Sequence, residues 1–148
     1  MKDSLKARIG DALRDGMKQG DEMRVSTIRL LMSAIHNREI EKRGKGSEEA
    51  LTDGEVEALL RTEAKKRKEA IALFEKGARA DLALRERKEL LVIEKYLPVP
   101  PGEPEMRAAI QRVIAEGAKE FGPAMKRVMQ ELGGRADGTE VARLLKKQ

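Results

Sequence analysis

The residues of this chain with the types and spacing for chemistry are carboxylates set among apolar side chains. On a helical wheel of about 100° per residue, Glu63 and Arg67 fall inside the stripe running from Leu60 to Ile71. Glu39 continues the stripe of Val25, Ile28, Met32 and Ile35, and Glu86 lies in phase with Ala83, Leu90 and Ile93. Three carboxylates and one guanidinium therefore point toward a helix–helix interior. One reading puts them at the flanks of their stripes, stems packed and charged heads in water. The other makes Arg67 the hub of a partly buried network with Glu63, and with Glu39 or Glu86, that fixes helix register. Pairing is required in that case, because an unpaired buried charge is costly. Catalysis by these carboxylates is disfavoured. A glycosidase-like pair needs a cleft with aromatic sugar platforms, and the aromatics are only Phe74, Tyr96 and Phe121. A di-iron carboxylate site needs Glu-x-x-His, whereas His36 is the sole histidine and no such spacing occurs. A lone histidine without a serine motif makes no triad. Walker, GxGxxG and HExxH patterns are absent. With no cysteine there is no thiol nucleophile and no cysteine metal site. No catalytic residue, metal or cofactor is expected.

The basic residues point instead to a class of partner. The chain carries a net charge of +5, which permits contact with nucleic acid without specifying it. KKRK at 65–68 spreads around its helix and reads as a solvated face. The tail differs. Residues 104–148 hold nine Lys and Arg against six Asp and Glu, a net of +3 in under a third of the chain. Lys126, Arg127, Arg135, Arg143, Lys146 and Lys147 all lie in its last two helices and their connection. Clustered cations on short helices can follow a phosphate backbone. Phe121 is the tail's one aromatic, so recognition of folded RNA by shape fits better than reading of unpaired bases. In GGRADG, residues 133–138, Gly133 suits a helix exit and Asp137 the cap of the next helix, in a variant capping box with Glu140. Asp137 would occupy the amides a phosphate needs, so the segment is a turn first. Arg135, between glycines, is expected to project outward without an acidic partner and to contact a ligand.

Apolar periodicity predicts the elements that position these groups. Helices are expected over residues 3–18 and from Asp21 to about Glu41. A loop at 42–51 leads to a third helix, opened by a Thr52–Glu55 capping box and closed at Gly77, and Asp81 caps a fourth. LPVPPGEP at 97–104 has four prolines in eight residues and ends helical geometry. Three short helices follow, over 105–117, 123–132 and 138–147. The expected fold is all-α: a four-helix part over 1–97, a proline-rich hinge at 98–104, and a basic three-helix bundle over 105–148. The opening residues lack the apolar run of a signal peptide, and no window nears the ~18 apolar residues of a membrane span. The expectation is a cytoplasmic protein without membrane partners.

Several stretches together are similar to one family. They are IRLLMSAIHNREIE at 28–41, LTDGEV at 51–56, KKRKEAIALFEKGARADLA at 65–83, YLP at 96–98 and GRADGTEV at 134–141. The chain resembles the YqeY-like family, related to the tail domain of GatB, a subunit of glutamine-dependent aminoacyl-tRNA amidotransferase. The resemblance implies an all-helical protein with a three-helix tail. It also implies transfer RNA or another structured RNA as partner, with Arg135, Lys126 and Lys146 as candidate contacts, and a possible protein partner in an amidotransferase context. Glutaminase and kinase chemistry lie in other domains of the larger relative. A carbon–nitrogen ligase label would therefore denote association with an amidotransferase. The alternative is a helical protein–protein adaptor with incidental basicity.

Overall fold

A computed structural model describes residues 4–47 and 49–148. Residue 3, the expected start of the first helix, and residue 48 of the expected loop lie outside the described residues. Among these the fold is all-α, with seven α-helices and one 3-10 turn. The chain divides into two compact units, Met1–Leu97 and Pro98–Gln148.

The first unit holds α1 (Leu5–Gln19), α2 (Glu22–Gly44), α3 (Asp53–Lys76) and α4 (Ala80–Glu94). Ser4 caps α1, and Gly20 ends it at φ 70°, a left-handed geometry that glycine adopts without a Cβ penalty. Asp21 caps α2 through the Arg24 amide. Thr52 and Glu55 form the reciprocal capping box that starts α3. The core is built from Leu5 and Ile9, Ile28, Leu31 and Ile35, Val56, Leu60 and Ala64, and Ile93. Their spacings of three, four and seven put one apolar face of each helix inward. The Leu5 amide also donates to Asp53 Oδ1 at 2.9 Å, tying the start of α1 to the start of α3.

In this unit the boundaries differ from the sequence expectation at α1, which spans Leu5–Gln19 rather than 3–18, at the end of α2 and at the start of α4. Helix α2 runs three residues past Glu41, with Lys42 and Arg43 in its last turn, where cations complement the carbonyl end. Lys42 also reaches Glu55 at 2.8 Å and so links α2 to the cap of α3. Held by Lys42 and the Thr52 amide, the Glu55 carboxyl falls to about 2. Arg79 holds the N-cap position of α4 without a side-chain cap hydrogen bond, and the expected cap Asp81 sits inside its first turn. There the Arg79 side chain, followed by the Leu82 amide, holds the Asp81 carboxyl below its usual range. Gly77 ends α3 as expected but at φ −85°, and the left-handed residue of the α3–α4 turn is Ala78 at φ 58°.

The second unit packs α5 (Glu103–Ala115), α6 (Phe121–Leu132) and α7 (Gly138–Lys146), with the 3-10 turn Gly133–Arg135 between the last two. Its core is one cluster of Met106, Ala109, Ile110, Val113, Ala124, Val128, Leu132, Val141, Leu144 and Leu145. Helices α5 and α6 each begin two residues before the expected start. Pro104 and Pro123 lie within the first turns, where the missing amide has no intrahelical acceptor to lose.

Candidate functional site

The tail cations fall into two groups. Arg135 was expected to stand unpaired, and the structure corrects this: its Nη2 donates to Glu105 Oε1 at 2.7 Å. The 3-10 turn brings it against the first turn of α5, thirty residues earlier in the chain, a proximity that no local spacing reveals. Arg127 pairs with Glu116 and Arg143 with Glu140. Arg112 pairs with Glu131 and Arg107 with Glu103. Every arginine of the tail thus has an intramolecular acid, and the carboxyls of Glu103 and Glu140 are held below their usual range by Arg107 and Arg143. Among the described residues Lys119, Lys126, Lys146 and Lys147 make no ion pair. Lys126 leaves the face of α6 opposite buried Ala124 and Val128. Lys146 Nζ stands 5.6 Å from the centre of the Phe121 ring.

The turn between α6 and α7 has the expected outline with one change. Gly133 ends α6 at φ 69°. Asp137 caps α7, its Oδ1 accepting from the Thr139 amide at 2.9 Å. The expected reciprocal contact from Glu140 is replaced by its pair with Arg143, so the cap is a simple one. A carboxylate on the α7 amides leaves that helix start unsuited to phosphate.

In the first unit α3 and α4 bring acids around Arg67, which is 13% exposed. Its Nη1 meets Glu63 Oε2 at 3.3 Å, and its Nε lies 3.2 Å from Glu89 Oε2 and 3.6 Å from Glu86 Oε2. Glu89 escaped the sequence reading, although it lies one turn from Glu86 on the same helix, the spacing that could have revealed it. Glu39 is placed elsewhere: it binds Lys6 at 2.9 Å and joins α2 to α1. Lys66 and Arg85 supply further charge to Glu63 and Glu89 from the surface. Arg67 Nε and Glu86 Oε2 are buried without a hydrogen-bond partner. Burial, then the charge of Glu89, pushes the Glu86 carboxyl up. His36 is exposed on α2.

The Arg67 cluster is an interhelical crosslink rather than the wall of a cleft. Two surface depressions lie elsewhere, one along Glu69, Ala72, Leu73, Glu75 and Lys76 of α3 and one along Glu22, Val25, Ser26, Arg29, Leu30 and Ser33 of α2. Among the described residues no group of three or more His, Cys, Asp or Glu is arranged to hold a metal ion. No described helix is long and apolar enough to cross a membrane.

Comparison with known proteins adds the following. Residues 6–148 match the model of a family described as Yqey-like protein. The chain is 35% identical over 123 residues to "Altered inheritance of mitochondria protein 41, mitochondrial" of Lachancea thermotolerans, covering 81% of this chain and 63% of that protein. It is 30% identical over 134 residues to the protein of that name in Kluyveromyces lactis, covering 88% and 68%. An uncharacterized protein of Schizosaccharomyces pombe is 36% identical over 95 residues, covering 64% of this chain and 73% of that one. The chain thus spans less than two thirds of the Lachancea relative's length. The expectation of a cytoplasmic protein is corrected by these relatives, since those whose names state a compartment are mitochondrial.

Proposed function

The chain belongs to the YqeY-like family, and on that premise we propose that it is a non-catalytic RNA-binding module. Its three-helix unit grips folded RNA, with transfer RNA the expected class. Kinship with the tail of the GatB subunit would make it an accessory to tRNA-dependent amide formation, with the ligase chemistry residing in other polypeptides. One observation carries the reading: the tail's surplus charge rests on Lys119, Lys126, Lys146 and Lys147, ammonium groups with no acid bound to them among the described residues. The arginine pairs are exposed, each worth about 0–1 kcal/mol, so a polyphosphate can compete for them.

Fluorescence anisotropy with unfractionated transfer RNA tests this. Four phosphate contacts give a slope of about −3.6 in log affinity against log salt, roughly a 100-fold loss between about 50 and 200 mM. No binding at about 50 mM salt, or binding indifferent to salt, refutes the proposal. A second reading, a protein adaptor, is favoured by a separate observation. Leu84 and Leu91 are exposed seven residues apart on one face of α4, and Leu73 is exposed on α3, more apolar surface than a solvated hairpin needs. With one tyrosine and no tryptophan, the purified protein absorbs weakly. A nucleic-acid spectrum after purification favours RNA, and a stoichiometric protein companion favours the adaptor.

A further inference from the structure

Phe121 is the only aromatic residue of the second unit. It is the first residue of α6, and 45% of it is exposed although the unit has a well-formed apolar core. Burying a phenylalanine is worth about 1.5–3 kcal/mol, so leaving the ring half out forgoes much of that. Lysines lie near it, and so does one acid, Glu120, the N-cap residue of α6. Lys146 Nζ lies 5.6 Å from the ring centre, Lys147 follows Lys146, and Lys119 precedes Phe121 by two residues. Lys146 thus stands at the one exposed aromatic ring, and two further lysines without an ion pair among the described residues are near in sequence, Lys119 two residues before Phe121 and Lys147 next to Lys146. The carboxylates that neutralise the arginines are engaged with those arginines.

We infer that Phe121 is a stacking platform for one unpaired nucleotide of the bound RNA, with Lys146, Lys147 and Lys119 holding the phosphates on either side of it. The inference rests on the RNA-binding reading and adds to it a single-stranded contact. A base has a π face whatever its sequence, and a ring beside ammonium groups offers both halves of what a nucleotide presents. Shape recognition of a duplex would use the lysines and leave the ring idle. A single platform places one base and reads no sequence. The Lys146 ammonium over the ring holds the ring's orientation until a phosphate draws it aside.

The experiment compares two labelled probes by fluorescence anisotropy at about 50 mM salt: an oligoadenylate of about eight nucleotides, and a blunt-ended RNA hairpin closed by a non-nucleotide linker, so that every base is paired. Wild type is set against Phe121→Ala and Phe121→Leu, with the α-helical circular dichroism of each variant measured first. Both variants should lose about 5- to 100-fold in affinity for the oligoadenylate, with less than a twofold change for the hairpin. Phe121→Leu keeps apolar bulk at the helix start, so its loss reports the π face rather than a folding defect. Unchanged oligoadenylate affinity in both variants overturns the inference, as does an equal loss on both probes. If wild type binds the hairpin but not the oligoadenylate, the inference falls and the RNA-binding reading stands. If it binds neither probe, both fall, and retention on anionic phospholipid vesicles would then assign the ring and lysines to a lipid surface.

Discussion

Replacing Arg67 by methionine keeps most of the stem's packing and removes the one cation shared by Glu63, Glu86 and Glu89. Breaking a buried ion pair from one side costs about 3–5 kcal/mol, since the partner stays buried and unpaired. Two features favour the lower end: Lys66 and Arg85 still approach Glu63 and Glu89, and the cluster keeps some access to water. A loss of about 3 kcal/mol in a unit of this size lowers its melting temperature by about 12–24 °C. The loss must also depend on pH. Without Arg67 the Glu86 carboxyl, already raised by burial and then by the charge of Glu89, is easier still to protonate in the folded unit than in the unfolded chain. The native state then binds more protons, and stability falls as pH rises. Thermal melts followed by circular dichroism should show a large deficit at pH 7.5 and a smaller one at pH 4. A shift under about 4 °C at pH 7.5, or an equal shift at both pH values, would refute the view that Arg67 neutralises a partly buried acid cluster. If the variant does not fold at neutral pH, its recovery at pH 4 is the readout, and failure to recover counts against the idea equally.

Two other substitutions probe the same unit. Glu86→Gln removes a charge that burial and Glu89 disfavour. A carboxyl with a raised folded value costs stability above the unfolded range, so the variant should melt higher than wild type at pH 7.5 and alike at pH 4; a lower melting temperature at pH 7.5 contradicts the assignment. Ala78 holds φ 58° in the α3–α4 turn, so Ala78→Gly should relieve left-handed strain and stabilise by about 0.5–1 kcal/mol. Chemical denaturation should show a higher midpoint with unchanged slope, and a lower midpoint would mean that the backbone is not strained there.

Much of the helical frame was legible because it is written in local spacing. Stripes such as Val56–Leu60–Ala64 announce a buried face, and Asp21, Thr52 and Asp137 announce helix starts, whereas the Ser4 cap lay inside the expected first helix and buried Leu31 outside the expected second stripe. Boundaries slipped where a residue has two uses. Pro104 reads as part of a breaking segment yet sits in a first turn, and Asp81 reads as a cap yet lies inside one. The Arg67 cluster was partly legible because a charge on an apolar stripe breaks the pattern. The pairing of the tail arginines was not, because it is long-range. Arg135 with Glu105, Arg112 with Glu131 and Arg127 with Glu116 span thirty, nineteen and eleven residues. Only Arg107 with Glu103 and Arg143 with Glu140 lie within a helical turn of each other.

That division between arginine and lysine has a physical basis and a measurable consequence. The arginine fork matches a carboxylate and is weakly hydrated, so in a small unit it is readily used to join surfaces; the lysine ammonium is strongly hydrated and stays in water. Arg135 joins the 3-10 turn to α5, Arg112 joins α5 to α6, and the four lysines of the tail join nothing by ion pairing among the described residues. Net charge alone treats all nine cations as equal, and geometry does not. If only the four lysines meet phosphate, the salt slope for RNA is about −3.6, and if the arginines leave their acids and join them it approaches about −8. A slope near the larger value would mean that RNA breaks the contacts closing the three-helix unit. Binding should then loosen it, visible as faster amide hydrogen exchange at the α5–α6 contact. A slope near the smaller value with unchanged exchange would mean that the arginines are structural and the lysines alone face the ligand.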